Sequence, residues 1–514
     1  MKGKNDWLRP KRYIHIGYPL SYSGKHDVQS YIRNKDKIAH YAFFPLIKRD
    51  IIRNHYKKVE PNGIKVKRAK TRSICYASHL DAAIYSFYAF QLSESYETFL
   101  CENHIEECVT AYRSLPSKER SGNKCNIDYA KDVFDFVSKK LADGNLAVIT
   151  FDIKGFFDNL DHKLLKQAWK KIEGTESLGD DVYNVYRNVI NYSYVDEDSL
   201  FDLFKDKIIC KTKSGKIVHR KVKKKKFLRD KNAVAYCDRS DIAAIRKARI
   251  IRKGNFDDMN KTYTHKGIPQ GLPISAVLAN VYMSDFDVMI AKDIETFGGL
   301  YRRYSDDIII VCPLKDGVFW KEYMIDQIQN VKLTIEQSKT NLYAFCKDEN
   351  QQVHCKHETQ GENKILEYLG FSFDGKNILI KRSGIGSYYY NMRKNVKRCL
   401  YFAIHSHSRK AFGKLFENRL VYRFTKLGSR KHKIYLRSKK EPYEFYDSRR
   451  RSLGNYWSYV KKSARIMESK AILKQMRRNQ NKLRTLILQA RLDTSRSIYH
   501  RMCTSISRYG RLYD

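Results

Sequence analysis

Residues 301–311 read YRRYSDDIIIV, and residues 146–153 read LAVITFDI. In both, a short run of branched apolar residues meets aspartate where a folded core ordinarily places none. Ser305, Asp306 and Asp307 are turn formers, so the first stretch predicts strand, tight turn, strand. The second run ends at Gly155, and DHKLLKQAWKKI then resumes with helical spacing, which predicts a buried strand, a turn and a helix. Between the two lies GIPQGLPISAVLANVYMSDFDVMI (267–290), a glycine-proline turn that feeds a long apolar helix.

Carboxylates at the ends of apolar strands need compensation. A hard divalent cation supplies it, and magnesium in particular binds through one or two carboxylates together with substrate phosphates. Two such ions about 4 Å apart activate a 3′-hydroxyl and stabilise a leaving pyrophosphate in an in-line displacement. On this reading Asp152 and Asp306 bridge both ions, the carbonyl of Ile153 completes one shell and Asp307 assists. The expected cofactor is a pair of Mg2+ ions, with Mn2+ as a substitute. The plainer alternative makes SDD a surface turn and Asp152 a helix cap.

Composition narrows the partners. The chain has 514 residues, 42% hydrophobic, which is enough for several packed lobes and far from the composition of disorder. Its 99 Lys and Arg against 56 Asp and Glu give a net charge of +43, and nucleic acid is the polyanion that would balance it. No stretch approaches the roughly 20 apolar residues of a membrane span, and MKGKNDWLRPKRY lacks a signal-peptide core, so a cytoplasmic protein without membrane attachment is expected. The 11 cysteines are scattered, without a CxxC pair, which argues for reduced thiols. Cys346, His354, Cys355 and His357 are irregularly spaced for zinc.

Along the chain, residues 1–60 read as a basic, aromatic N-terminal extension in which HYAFFPLIKRDIIRNHYKK (40–58) has spacings suited to a packed helix. IKVKRAK and RSICYASHLDAAIYSFYAF follow, an extended start turning into a helix. The basic insert at about 195–262, with KVKKKKFLRDK, has little apolar periodicity and reads as a solvated loop or hairpin, or as a phosphate-contacting element. Beyond Gly375 the sequence is basic and helical, with Ile472, Met476, Leu483, Leu486, Ile487 and Ala490 near one stripe, as core packing requires.

FDIKGFFDNL, GIPQGLPISAVLANVY, YSDD, the later SKT and EYLGF occur in the order of the palm motifs of reverse transcriptases, which residues 65–373 resemble. The resemblance implies an α+β right-hand polymerase: fingers and an antiparallel-sheet palm over 61–374, then a helical thumb and a basic α-helical C-terminal domain over 375–514. It also implies roles. Phe157 matches the steric gate that excludes a 2′-hydroxyl, although it also reads as a core aromatic beside Phe156. Gln270 and Gly271 match the turn against the incoming nucleotide. Lys65 and Arg72 match the cations that clamp the triphosphate, with Lys67, Arg68 and Lys70 as alternatives to Lys65. Lys339 matches a lysine that assists the leaving pyrophosphate, against a plain surface lysine. Leu369, Gly370 and Phe371 match the primer grip.

The DIKGFFDN form is more similar to bacterial and group II intron enzymes than to retroviral ones. The long insert, the FFPLI segment and the extended C-terminus are more similar to bacterial reverse transcriptases of phage defence. That implies a structured non-coding RNA template, deoxynucleoside triphosphates as substrates and a cDNA product. A group II intron-type maturase and a non-catalytic RNA-binding scaffold are the alternatives; homo-oligomerisation and priming, including priming on a tyrosine such as Tyr499, Tyr509 or Tyr513, stay open.

Overall fold

The computed structural model describes residues 7–510 except 22–23, 60–63, 118, 213, 258, 363, 407–411, 431–432, 438–444 and 452–453. Side chains at 54–59, 64–68, 433–437, 445–451 and 501–510 also lie outside the described part. The chain divides into two compact units. The first comprises Met1–Arg113, Ile149–Ile310 and Val318–Thr340; the second comprises Ser114–Val148, Val311–Gly317 and Asn341–Asp514. Both mix helices and strands. Among the described residues no helix is long and apolar enough to cross a membrane.

In the first unit the strands Leu46–Val59 and Ile64–Tyr76 form a long antiparallel hairpin in unbroken register. Residues 40–58 are therefore not a helix. Ile47 and Ile51 imitate helical spacing, but the branched residues of Leu46–Val59 pair across the hairpin, and pairing overrides the local pattern. Two short strands, Ser193–Asp196 and Arg252–Lys253, complete this sheet. The expected turn from strand into helix occurs: Ser78 caps His79–Glu102 by accepting from the amide of Asp81. Ile84, Tyr85, Tyr88, Leu92 and Tyr96 on that helix are buried.

The basic insert is a packed lobe rather than a solvated loop. Strands Ile208–Lys211, Ile217–Arg220 and Ala233–Cys237 form a sheet that the N-terminal His15–Ile16 extends in parallel. Beneath it Leu200, Phe201, Phe204, Cys210, Tyr236 and Ile245 share one core with Ile47. The apolar residues needed for that core are supplied partly by other segments, so the lysine run shows no periodicity of its own. Glu197, 4% exposed, fastens the lobe to the hairpin. Its carboxylate accepts from Arg49 Nε (2.9 Å), Lys225 Nζ (3.2 Å) and the hydroxyls of Tyr76 and Tyr236 (3.0 Å each).

In the second unit the strands Asn341–Lys347 and Val353–His357 pair antiparallel, as do Leu366–Tyr368, Phe371–Phe373 and Ile378–Ile380. The helices Arg382–His405, Glu417–Phe424, Tyr456–Ile466, Lys470–Gln475 and Asn479–Gly510 make the C-terminal region helical, and among its described residues the strands Lys433–Arg437 and Phe445–Arg451 pair antiparallel. Tyr388, Met392, Leu420, Phe424, Trp457 and Ile472 are buried there. The expected stripe splits between two helices, and Ile472, Met476, Leu483, Ile487 and Ala490 on it are all buried.

Candidate active site

The strand Leu146–Asp152 is apolar because it is buried: Ala147, Val148 and Ile149 are fully covered and Phe151 is 2% exposed. It ends on Asp152, half-buried. Gly155 then adopts the left-handed conformation (φ 55°), and the short helix Phe156–Asn159 begins.

Leu300–Tyr304 and Asp307–Pro313 are sheet neighbours joined through Ser305 and Asp306, the expected hairpin. Asp307–Pro313 in turn lies beside Leu146–Asp152. The two strand ends meet through the backbone, where the amide of Ile153 donates to the carbonyl of Asp306 at 3.1 Å. A third segment closes on the same point: the amide of Glu336 donates to the carbonyl of Asp152 (2.8 Å), and Lys339 Nζ reaches Asp152 Oδ2 at 2.6 Å. Asp152, Ile153, Asp306 and Lys339 are thus gathered by the fold. Asp307 begins its strand exposed.

Below the turn lies a polar network that the sequence reading missed. Arg303 is fully buried and forms a two-pronged pair with the equally buried Asp287, Nε to Oδ1 at 2.8 Å and Nη2 to Oδ2 at 2.5 Å. Its Nη1 donates to Asn280 Oδ1 (3.2 Å) and to the carbonyl of Ser305 (3.3 Å), and the Tyr301 hydroxyl donates to Asp287 (2.6 Å). Burial alone would favour a neutral guanidine, but the Asp287 carboxylate outweighs it and holds Arg303 charged. Ser305 takes a left-handed φ of 63°, uncommon for a residue with a side chain, and its hydroxyl lies 3.2 Å from that of Tyr112. The signal was present: period-2 alternation in YRRYS turns Tyr301, Arg303 and Ser305 to one face, and all three are buried.

The PQG turn is fastened to the hairpin. Arg72 Nε donates to Gln270 Oε1 at 2.9 Å, and the amide of Cys75 donates to the carbonyl of Gln270 at 2.8 Å. At Gly271 (φ 112°) a Cβ would stand 2.5 Å from the Cys75 carbonyl oxygen, so only glycine permits this approach. Phe157 is 8% exposed, lies against Phe156, and its carbonyl accepts from the amide of Ile268 (2.8 Å) just before the turn. Arg72, Gln270, Gly271 and Phe157 are thereby brought together, but Lys65 is not. Its side chain is outside the described part, and its position seven residues along the strand from Arg72 is about 23 Å away at ~3.3 Å per residue. Lys70, exposed and two residues from Arg72, shares the strand face of Arg72.

Leu369, Gly370 and Phe371 belong to the second unit, where Leu369 (φ 44°) and Gly370 (φ 92°) form a tight turn. The turn is braced by Asn126 Nδ2 donating to the Leu369 carbonyl (3.0 Å) and the Lys381 amide donating to the Gly370 carbonyl (3.0 Å).

The oxygen donors at the strand ends are hard ligands of the kind divalent cations of the magnesium type prefer. Among the described residues no group of three His, Cys, Asp or Glu side chains is close enough to hold an ion by itself.

Residues 216–373 match the family described as reverse transcriptase (RNA-dependent DNA polymerase). Among solved structures, the chain is similar to apo telomerase from Candida tropicalis truncated from its C-terminal domain, with 11% identity and a TM-score of 0.35 over 71% of this chain and 61% of that one. It is also similar to telomerase from Candida albicans in complex with a TWJ fragment of telomeric RNA, with 13% identity and a TM-score of 0.32 over 91% of this chain and 66% of that one. The chain spans less than two thirds of the length of either, and the likeness is remote. The family match takes in Gln270, Gly271, Asp306, Asp307, Lys339 and Leu369–Phe371, while Arg72, Asp152 and Phe157 lie upstream of it. Contacts from those three reach residues within the match: Arg72 to Gln270, Asp152 to Lys339, and Phe157 to Ile268. Over residues 216–373 the chain thus carries a match to the reverse transcriptase domain.

Proposed function

We propose that this chain is an RNA-directed DNA polymerase that copies a dedicated, structured non-coding RNA into cDNA from deoxynucleoside triphosphates. The observation that carries the reading is the meeting of Asp152 with the Asp306 turn, with Lys339 held on the Asp152 carboxylate. In this reading residues 61–374, with the insert at about 195–262, serve as fingers and palm. Residues 375–514 serve as thumb and RNA-binding helical domain, behind an extension over 1–60.

Asp152, Asp306 and the carbonyl of Ile153 would hold two Mg2+ ions, replaceable by Mn2+, with Asp307 assisting. Bound there, the ions supply activation of the primer 3′-hydroxyl and neutralisation of the leaving pyrophosphate. The protein's own groups do the rest. Lys339 holds a proton on Nζ beside Asp152, ready for the leaving group. Arg72 offers a planar fork to the triphosphate, oriented by Gln270, with Lys70 in the place first expected of Lys65. Phe157 closes the pocket against a ribose 2′-hydroxyl, and the Leu369–Phe371 turn holds the primer end.

We assign the cDNA to bacterial anti-phage defence, in the cytoplasm, on the sequence resemblance. The packed basic insert and the basic helical C-terminal region support a dedicated RNA partner. Primer extension on an RNA template with Mg2+ and deoxynucleotides tests the polymerase reading. Incorporation abolished by Asp306→Asn with Asp307→Asn, and ribonucleotide use gained by Phe157→Ala, are expected. RNA binding without incorporation, on any template including RNA co-purified from cells, would leave the scaffold reading instead.

A further inference from the structure

The helix Arg382–His405 has two faces of different chemistry. Tyr388, Met392, Val396 and Ala403 are buried along one side. On the opposite side Tyr390, Lys394, Lys397 and Tyr401 follow at intervals of four, three and four residues. At 100° per residue these four fall within a stripe roughly 60° wide. The two rings are open to solvent, Tyr390 at 65% and Tyr401 at 60% exposure, and the two lysines between them are exposed as well. The whole helix, RSGIGSYYYNMRKNVKRCLYFAIH, contains five Lys and Arg and no Asp or Glu.

Exposed aromatic rings alone would suit a protein partner, but an interface of that kind is ordinarily depleted of lysine at its centre. An anionic membrane surface would take the cations, yet this stripe offers only two amphipathic tyrosines and no aliphatic side chain to insert. Rings at each end with ammonium groups between them match a single-stranded nucleic acid, whose bases have open π-faces and whose phosphates seek cations. A duplex keeps its bases stacked on one another and offers no such faces. Along the helix the rings stand roughly 16 Å apart at 1.5 Å per residue, a gap a single strand bridges within a few nucleotides.

We propose that the outward face of the Arg382–His405 helix binds unpaired nucleic acid, with bases stacked on Tyr390 and Tyr401 and phosphates held by Lys394 and Lys397. The partner class rests on the polymerase reading, since a chain that copies RNA must hold unpaired strands. The contact itself is separate from the residues assigned to chemistry.

The test is fluorescence anisotropy with the full chain, a short unstructured RNA and an RNA duplex of equal length, in a salt series without nucleotides. Tyr390→Leu with Tyr401→Leu is expected to weaken single-strand binding about tenfold per ring, leaving the salt slope and duplex affinity unchanged. Tyr390→Phe with Tyr401→Phe keeps both rings and is expected to bind as the parent does. Lys394→Gln with Lys397→Gln is expected to flatten the salt slope by about 0.7 per lysine. Unchanged single-strand affinity in the leucine variant would overturn the proposal, as would equal losses for single strand and duplex, or capture by anionic vesicles that the leucine change abolishes while RNA binding stands. Primer extension on the same preparations separates the two claims: a parent that extends primers while the leucine variant binds single strands normally refutes the stacking face and leaves the polymerase reading intact.

Discussion

Lys339 Nζ lies 2.6 Å from Asp152 Oδ2, a contact that spans 187 positions of sequence. It joins a residue within the family match to one that precedes it, and it places a proton donor beside the acid assigned to chemistry. A charge-assisted hydrogen bond contributes about 1.5–3 kcal/mol, so Lys339→Met should slow single-turnover incorporation by about ten- to a hundredfold. Because Lys339 is 53% exposed, the melting temperature should hardly move.

Arg303 acts on the turn rather than on substrate. Arg303→Met leaves Asp287 buried without its partner and should destabilise the fold by about 3–5 kcal/mol in denaturant titration. Adding Asp287→Leu should recover much of that stability, as expected for coupled residues. Incorporation should stay depressed in the double variant, because the Ser305 carbonyl has lost the donor that held it. Recovery of stability and rate together would assign Arg303 to packing alone.

Gly271 and Gly174 both take left-handed angles, but their surroundings differ. A Cβ on Gly271 meets a carbonyl oxygen, whereas on Gly174 it meets nothing within 4 Å. Gly271→Ala should therefore push the PQG turn off the hairpin and raise KM for deoxynucleotides about tenfold, an effect of about 1.4 kcal/mol. Gly174→Ala should lower stability by about 1 kcal/mol and leave kinetics alone.

Burial pushes the Glu197 carboxyl up, but hydrogen bonds and charge from Arg49 and Lys225 outweigh it and hold it at about 2, below its ordinary 4.5. A depressed carboxylate stabilises the fold fully above its unfolded pKa. Unfolding free energy should therefore drop as pH falls from about 4.5 to about 2, with Glu197 contributing on the order of 2 kcal/mol after allowance for the exposure of Arg49. Glu197→Gln should flatten that part of the curve. An unchanged acid limb would place the dependence elsewhere, for instance on Asp128 beside Arg120, also held at about 2.

The parts legible in the sequence were those where local pattern and tertiary pairing agree. LAVITFD and DIIIVCP are strands by composition and by burial, and the acids at their ends stand out because the runs around them are apolar. Where the two disagreed, the sequence misled. Residues 40–58 carry helical spacing, but from Leu46 on they lie in a hairpin, and the insert hides its core because Ile16 and Ile47 complete it from far away. Lys65 is assigned by the resemblance, with Lys67, Arg68 and Lys70 as alternatives, and the strand register sets it seven residues from Arg72. The Arg303–Asp287 pair was missed because each residue alone resembles a surface charge, and only the fold sets one against the other.

The most direct test is single-nucleotide incorporation by Asp152→Asn on a primed RNA template, with RNA affinity measured on the same preparation. Asp152 lies outside the segment matched to the family and is tied to the site by the contacts at Ile153, Glu336 and Lys339. The account predicts a loss of at least a thousandfold in rate, about 4 kcal/mol of transition-state stabilisation, with RNA binding unchanged. A variant that incorporates at near the parental rate would contradict the assignment of Asp152 and Asp306 to one catalytic centre.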